Sequence, residues 1–171
     1  MRALADCVQI DAAPDRVWAW LVELSEQYAS WHPAHVSAEW ERGEPNQVGS
    51  IMRAVEDLGG TRETLRLQVT AVDPGRGFTY RFRGPISILL PGGSFVVAPD
   101  DGGSSFTATL WYRFGPLTRA VFHRRVAILR QHMREEGLNL KRTIEAGQGA
   151  TGPPPSPAAI RASGAGGGGG G

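Results

Sequence analysis

Apolar positions change their period along this chain, and the changes mark out its elements. Val8 and Ile10 alternate with polar neighbours as in a short strand. Asp11-Ala-Ala-Pro14-Asp15 then announces a helix start, with proline in its first turn. Val17, Trp18, Leu21, Val22 and Leu24 recur at helical spacing up to the break at Pro33, enough for two short helices. Strand signals follow at residues 36–40, 49–56, 62–72, 77–82, 94–98 and 105–114, several of them separated by Gly59-Gly60, Asp73-Pro74-Gly75 and Asp100-Asp101-Gly102-Gly103. The longest helical pattern, Leu117 to Glu145, begins after Gly115-Pro116. A curved antiparallel sheet cannot bury its concave face alone. The last helix is the one element long enough to cover it, so the pattern predicts an α+β fold enclosing an elongated cavity.

Composition narrows the picture. The chain has 171 residues, and a segment rich in Gly, Pro, Ser and Ala from about Gly147 is expected to be a disordered tail, residues 147–171, behind one folded domain of residues 1–146. Eighteen basic against seventeen acidic side chains leave no broad field for phosphate backbones, so nucleic acid is not an expected partner. A hydrophobic or aromatic small molecule is. No apolar run approaches the ~20 residues of a membrane span, so membrane insertion is not expected, and no secretory signal opens the chain. A cytoplasmic location follows as the expectation. The single cysteine, Cys7, excludes an intrachain disulfide and is read as a small buried residue of the first strand.

The order of elements resembles the helix-grip fold of the START-like superfamily (SRPBCC), whose members include polyketide cyclases and lipid carriers. The resemblance runs over about residues 3–146. It is carried by the opening Val8-Gln-Ile-Asp-Ala-Ala-Pro-Asp-Arg-Val-Trp18, by Gly92-Gly-Ser-Phe95 and by the long terminal helix. It implies a curved antiparallel sheet of about seven strands wrapped around a long C-terminal helix, with two short helices after strand 1. Both binders and enzymes use this fold, so chemistry must be argued from the site.

Candidate chemistry lies in four metal-capable side chains. On the terminal helix Phe122, Val126, Leu129, Met133, Leu140 and Ile144 form one stripe. Glu136 lies inside its edge, and His132, one turn earlier, points broadly the same way. Such a pair also serves as an ordinary surface hydrogen bond. In Arg62-Glu-Thr-Leu-Arg-Leu-Gln-Val69, alternation puts Glu63 on the face of Leu65, Leu67 and Val69. Its alternative is an edge carboxylate reaching solvent or pairing with Arg53. Trp31-His-Pro-Ala-His35 forms a preset loop at a mouth of the cavity, suited either to holding a ligand or to capping a helix. A carboxylate on an apolar face needs a cation, a hydrogen-bond partner or water. By alternation, Phe78, Tyr80, Phe82, Phe95, Phe106, Leu110, Tyr112 and Phe114 point inward, as core residues or as an aromatic and apolar cavity wall, and residues 85–91 form either an apolar loop able to cover one entrance or a turn packed against the long helix.

A narrower resemblance follows. Tyr28-X-X-Trp31-His-Pro-X-His35, a strand glutamate and a final-helix His-X-X-X-Glu look like the diacetylphloroglucinol hydrolase group, helix-grip enzymes that use zinc to cleave a carbon–carbon bond beside a ketone. The resemblance implies zinc held by His32, Glu63, His132 and Glu136, with His35 as the substitute for His32, and no organic cofactor. Tyr28 and His35 become proton-transfer or supporting groups. The implied function is a metal-dependent hydrolase or lyase acting on a carbonyl-bearing aromatic or polyketide-like compound. The alternatives are a metal-free carrier of a hydrophobic molecule and a metal-free cyclase or dehydratase.

Overall fold

A computed structural model of the chain describes the backbone of residues 1–58, 60–113 and 116–149, and the side chains of these except 116–123 and 148–149. Seven strands, β1 (Arg2–Ile10), β2 (His35–Arg42), β3 (Ile51–Leu58), β4 (Thr61–Asp73), β5 (Gly77–Phe82), β6 (Gly92–Asp100) and β7 (Gly103–Tyr112), form one antiparallel sheet in the order β1-β7-β6-β5-β4-β3-β2. Two short helices, α1 (Pro14–Val22) and α2 (Leu24–Trp31), follow β1, and α3 (Pro116–Gly149) closes the fold. This is the helix-grip architecture. The tail expected from residue 147 falls largely outside the described residues, and α3 itself runs on to Gly149.

Two departures from the sequence pattern have local causes. The first strand is longer than Val8 and Ile10 suggest, because it pairs along its whole length with β7, from Arg2 opposite Tyr112 to Ile10 opposite Ser104. Ladder hydrogen bonds over nine residues outweigh the weak β propensity of Ala3, Ala5 and Asp6. Within β1, Leu4 and Ile10 are buried and Cys7 is exposed, which corrects the expectation of a buried thiol: alternation from Leu4 sends an odd-numbered residue to the outer face. In β4 the inward set runs Glu63, Leu65, Leu67, Val69 and then changes phase, with Val72 packing against the core. A register shift between Val69 and Ala71 supplies the change.

Helix α3 lies over the sheet on the stripe read from the sequence. Leu129, Met133, Leu140 and Ile144 are buried and Val126 is half-buried, while Phe122 has a side chain outside the described residues. Burying a side chain such as Leu140 contributes about 1.5–3 kcal/mol. Gly137 lets the helix approach β1, since a Cβ there would stand 3.3 Å from the Asp6 carboxylate and 3.4 Å from Val8. At the other side, α2 is tied to α3 by two hydrogen bonds: the Trp31 indole N–H donates to the Glu136 carbonyl at 2.9 Å, and the Asn139 amide donates to the Trp31 carbonyl at 2.8 Å. These bonds fix where the α2–β2 loop meets the middle of α3. Residues 85–88 form a 3-10 turn, with Ile86 and Leu90 facing the cavity and Ile88 exposed.

Candidate functional site

The loop after α2 and the middle of α3 bring three buried histidines together. His32, His35 and His132 offer ring nitrogens that all lie within 4.8 Å of one another, a grouping that can hold a metal ion. Their side chains are not equivalent. His32 has both nitrogens engaged: Nδ1 accepts from the Ala34 N–H at 3.0 Å and Nε2 meets Glu135 at 2.9 Å. His35 is different. Its Nδ1 contacts the carbonyl of Tyr28 at 3.1 Å. A carbonyl only accepts, so Nδ1 carries the proton and, in the neutral ring, Nε2 carries the lone pair. That Nε2 stands 3.2 Å from His132 Nε2 and 3.1 Å from Glu136 Oε1, and His132 Nε2 stands 3.4 Å from the same oxygen.

These three atoms form a nearly equilateral triangle, in which His35 Nε2 of the neutral ring and the Glu136 oxygen are both acceptors. A single proton on His132 Nε2 cannot serve both neighbours well, so the arrangement calls for a second proton or another cation between them. Donor atoms 2.0–2.1 Å from a tetrahedral zinc lie roughly 3.3–3.4 Å apart, close to the observed edges. Burial opposes the charge on Glu136, but the facing His132 and His35 imidazoles overcome it and hold its carboxyl down at about 2. For His132, burial pulls downward while Glu136 and the nearby Glu56 and Glu135 raise it above the ordinary histidine value. His32 is lowered, chiefly by burial. His132 Nδ1 is buried and has no hydrogen-bond partner among the described residues.

Beneath the triangle is a carboxylate that the sequence reading missed. Glu56 is buried, and the Tyr28 hydroxyl donates to it in a close contact. Burial raises the Glu56 pKa, with Glu136 adding to the rise, and burial followed by Glu56 lifts Tyr28 well above the usual phenol value. A signal for it exists: Met52, Ala54, Glu56 and Leu58 alternate in the same way as the β4 set. Register then makes a row across three strands, with His35 opposite Glu56 and Glu56 opposite Glu63. The tyrosine ring stacks on His35 at 4.1 Å and 8°, fixing the imidazole plane.

Glu63 does not join the histidines. It faces the cavity, as its alternation requires, but its carboxylate pairs with Arg125 of α3. Arg53, its suggested partner, instead pairs with Glu39 on the outer face at 3.1 Å. Arg125 lies two helical turns before His132, about 10 Å along the axis, which keeps Glu63 away from the triangle. Thus His35, His132 and Glu136 converge, Tyr28 and Glu56 lie beside them, His32 is turned to Glu135, and Glu63 stands apart.

Tyr28, Glu56, His132 and Glu136 end a cavity of about 80 Å³ whose other walls are mostly apolar, including Leu65, Leu67, Tyr80, Phe82, Leu90 and Phe95, with the Glu63–Arg125 pair as a polar part. Phe78 and Phe106, expected on the wall, are buried but belong to the packing behind it, and Phe114 lies outside the described residues. Residues 1–145 match a family described as polyketide cyclase / dehydrase and lipid transport. The chain belongs to that family. No curated protein matches its sequence. Among solved structures, this member of the polyketide cyclase / dehydrase and lipid transport family is similar to Ara h 8.0201, at 19% identity and a TM-score of 0.64, covering 85% of this chain and 98% of that one. It is also similar to TTHA0849 from Thermus thermophilus, at 16% identity and a TM-score of 0.68, covering 85% and 99%. A third, the di-domain ARO/CYC BexL from the BE-7585A biosynthetic pathway, is 15% identical with a TM-score of 0.65, covering 82% of this chain and 49% of that one. These likenesses show the helix-grip fold. Among the described residues no helix is long and apolar enough to cross a membrane.

Proposed function

We propose that this protein is a metal-dependent enzyme, a hydrolase or lyase acting on a carbonyl-bearing aromatic or polyketide-like molecule held in the helix-grip cavity. The observation that carries the reading is the triangle of His35 Nε2, His132 Nε2 and Glu136 Oε1, with edges of 3.1, 3.2 and 3.4 Å. We take these three side chains as the metal ligands, which moves the role first expected of His32 to His35. Glu56 replaces Glu63 as the strand carboxylate within reach of the site. Imidazole with carboxylate suits zinc foremost, and iron or manganese as well. Bound there, such a metal would polarise a carbonyl oxygen and lower the pKa of a water toward neutrality.

The chain's own groups do the rest. The Tyr28 carbonyl fixes the His35 tautomer through Nδ1, leaving Nε2 free to ligate. Glu136 stays ionised because two imidazoles face it. Burial raises the Glu56 carboxyl above its ordinary value and the Tyr28 hydroxyl donates to it in a close contact, so the pair is suited to take up and return a proton beside the reacting carbonyl. The aromatic wall orients a flat ligand and excludes water.

The second reading, a metal-free carrier or cyclase, is favoured by the apolar lining and the family description. Elemental analysis of purified protein beside His35→Ala and Glu136→Gln, followed by assay of aromatic ketones, separates the two. Near one metal per chain, lost in both variants, together with product formation supports the enzyme. No metal after dialysis against zinc, with saturable binding and no product, overturns it in favour of the carrier.

A further inference from the structure

The outer face of the sheet carries a second charged cluster, unconnected with the cavity chemistry. Gln68 of β4 turns its amide so that Nε2 donates to the Gly49 carbonyl at 3.3 Å, which directs Oε1 toward β5. That one oxygen accepts from Arg81 Nε at 3.0 Å, from Arg81 Nη2 at 2.7 Å and from Arg83 Nη1 at 3.0 Å. Two guanidiniums are thereby drawn together on a neutral acceptor. Arg113 joins them along an open groove beside Gly84 and Pro91. Among the described residues none of the three forms a salt bridge, whereas Arg53 and Arg66 on the same face pair with Glu39 and Glu41.

Gathering like charges without a counter-charge costs free energy that an anion would offset. Guanidinium forks match the oxygens of phosphate, and three cations favour a dianion over a single carboxylate. The groove also adjoins the cavity. Phe82 lines both, and the residue 84–91 loop presents Ile86 and Leu90 to the cavity but Gly84, Ser87 and Pro91 to the groove.

We propose that Arg81, Arg83 and Arg113, organised by Gln68, form a binding site for a phosphate group, next to the loop that covers the cavity. The phosphate is either free or the head of an amphiphile whose apolar part passes the loop into the cavity.

The test uses the full chain treated with chelator, so that it is independent of any metal and of the proposed catalysis. Inorganic phosphate and decyl phosphate are titrated calorimetrically at constant ionic strength, with decanol as the uncharged control. Variants are Arg83→Gln and Gln68→Glu, the latter supplying the missing carboxylate with little change of shape; an unchanged unfolding midpoint confirms that each is folded. Saturable one-to-one binding of phosphate or decyl phosphate, weakened at least tenfold in both variants, is the expected result. Decyl phosphate binding tenfold more tightly than phosphate and displacing neutral 1-aminoanthracene from the cavity identifies the amphiphile; equal binding without displacement identifies free phosphate. No saturable binding of either, or binding unaltered in the variants, overturns the site.

Discussion

The two faces of the sheet at β2–β4 use the same residue types to opposite ends. On the outer face Glu39 pairs with Arg53 and Glu41 with Arg66, and all four side chains are partly or largely exposed. On the inner face the row His35, Glu56, Glu63 runs across the same strands, and its first two members are buried. Exposed pairs are screened and contribute little. A buried carboxylate must instead be matched by a proton, a cation or a hydrogen bond, so its chemistry is set by its neighbours. The inner row itself grades from one regime to the other, from the His35 and Glu56 end under α3 to the partly exposed Glu63 paired with Arg125.

The contrast breaks hardest at Glu136. In chelated protein its carboxyl is held at about 2 against an ordinary 4.5, so its stabilisation is present above pH 4.5 and lost as the pH falls toward 2. That shift corresponds to about 3 kcal/mol, shared with the facing imidazoles and counted once. Unfolding midpoints in denaturant between pH 6 and 2.5 should fall steeply for the wild type. In Glu136→Gln the acid-dependent part should shrink, and metal affinity should drop by a hundredfold or more.

A smaller effect tests the Tyr28–Glu56 pair. Glu56→Ala leaves a buried phenol hydroxyl without its acceptor and should cost about 1–3 kcal/mol, while Glu56→Gln retains an acceptor and should cost less. Both variants should keep the metal to a larger degree than Glu136→Gln but lose turnover, which would separate proton handling from ligation. If Glu56→Gln turns over at the wild-type rate, the proton-transfer role is wrong.

Glu63→Gln, one strand over, is expected to leave metal content unchanged and to destabilise by less than about 1 kcal/mol, as for other partly exposed pairs. Metal lost on this substitution would restore Glu63 to the ligand set. Smallest of all is Glu41→Gln on the outer face, for which no measurable change in unfolding midpoint or metal content is expected.

Much of this grading is legible without coordinates. Alternation in β4 puts Glu63 on the inner face, and the helical period puts His132 and Glu136 on the inner side of α3, because both signals depend only on local backbone geometry. Glu56 carries the same signal less plainly, because Met52 and Ala54 make a weaker apolar contrast than Leu65 and Leu67. The different settings of His32 and His35, on which the proposed ligand set rests, are not legible at all. Both sit in one five-residue segment, and what separates them is the Ala34 N–H that occupies His32 Nδ1 and the Tyr28 carbonyl that frees His35 Nε2.

By itself the sequence determined the element order, the sheet with its covering helix, and which side of each element is apolar, since these follow from periods of 2.0 and 3.6 and from turn residues. Only the tertiary structure decided which polar groups meet. Strand register set Glu56 between His35 and Glu63, and the bonds of Trp31 and Asn139 fixed how far along α3 the loop docks. Register and docking depth are sums over contacts distant in the chain, and a shift of one residue in either would exchange the partners while leaving every local pattern intact.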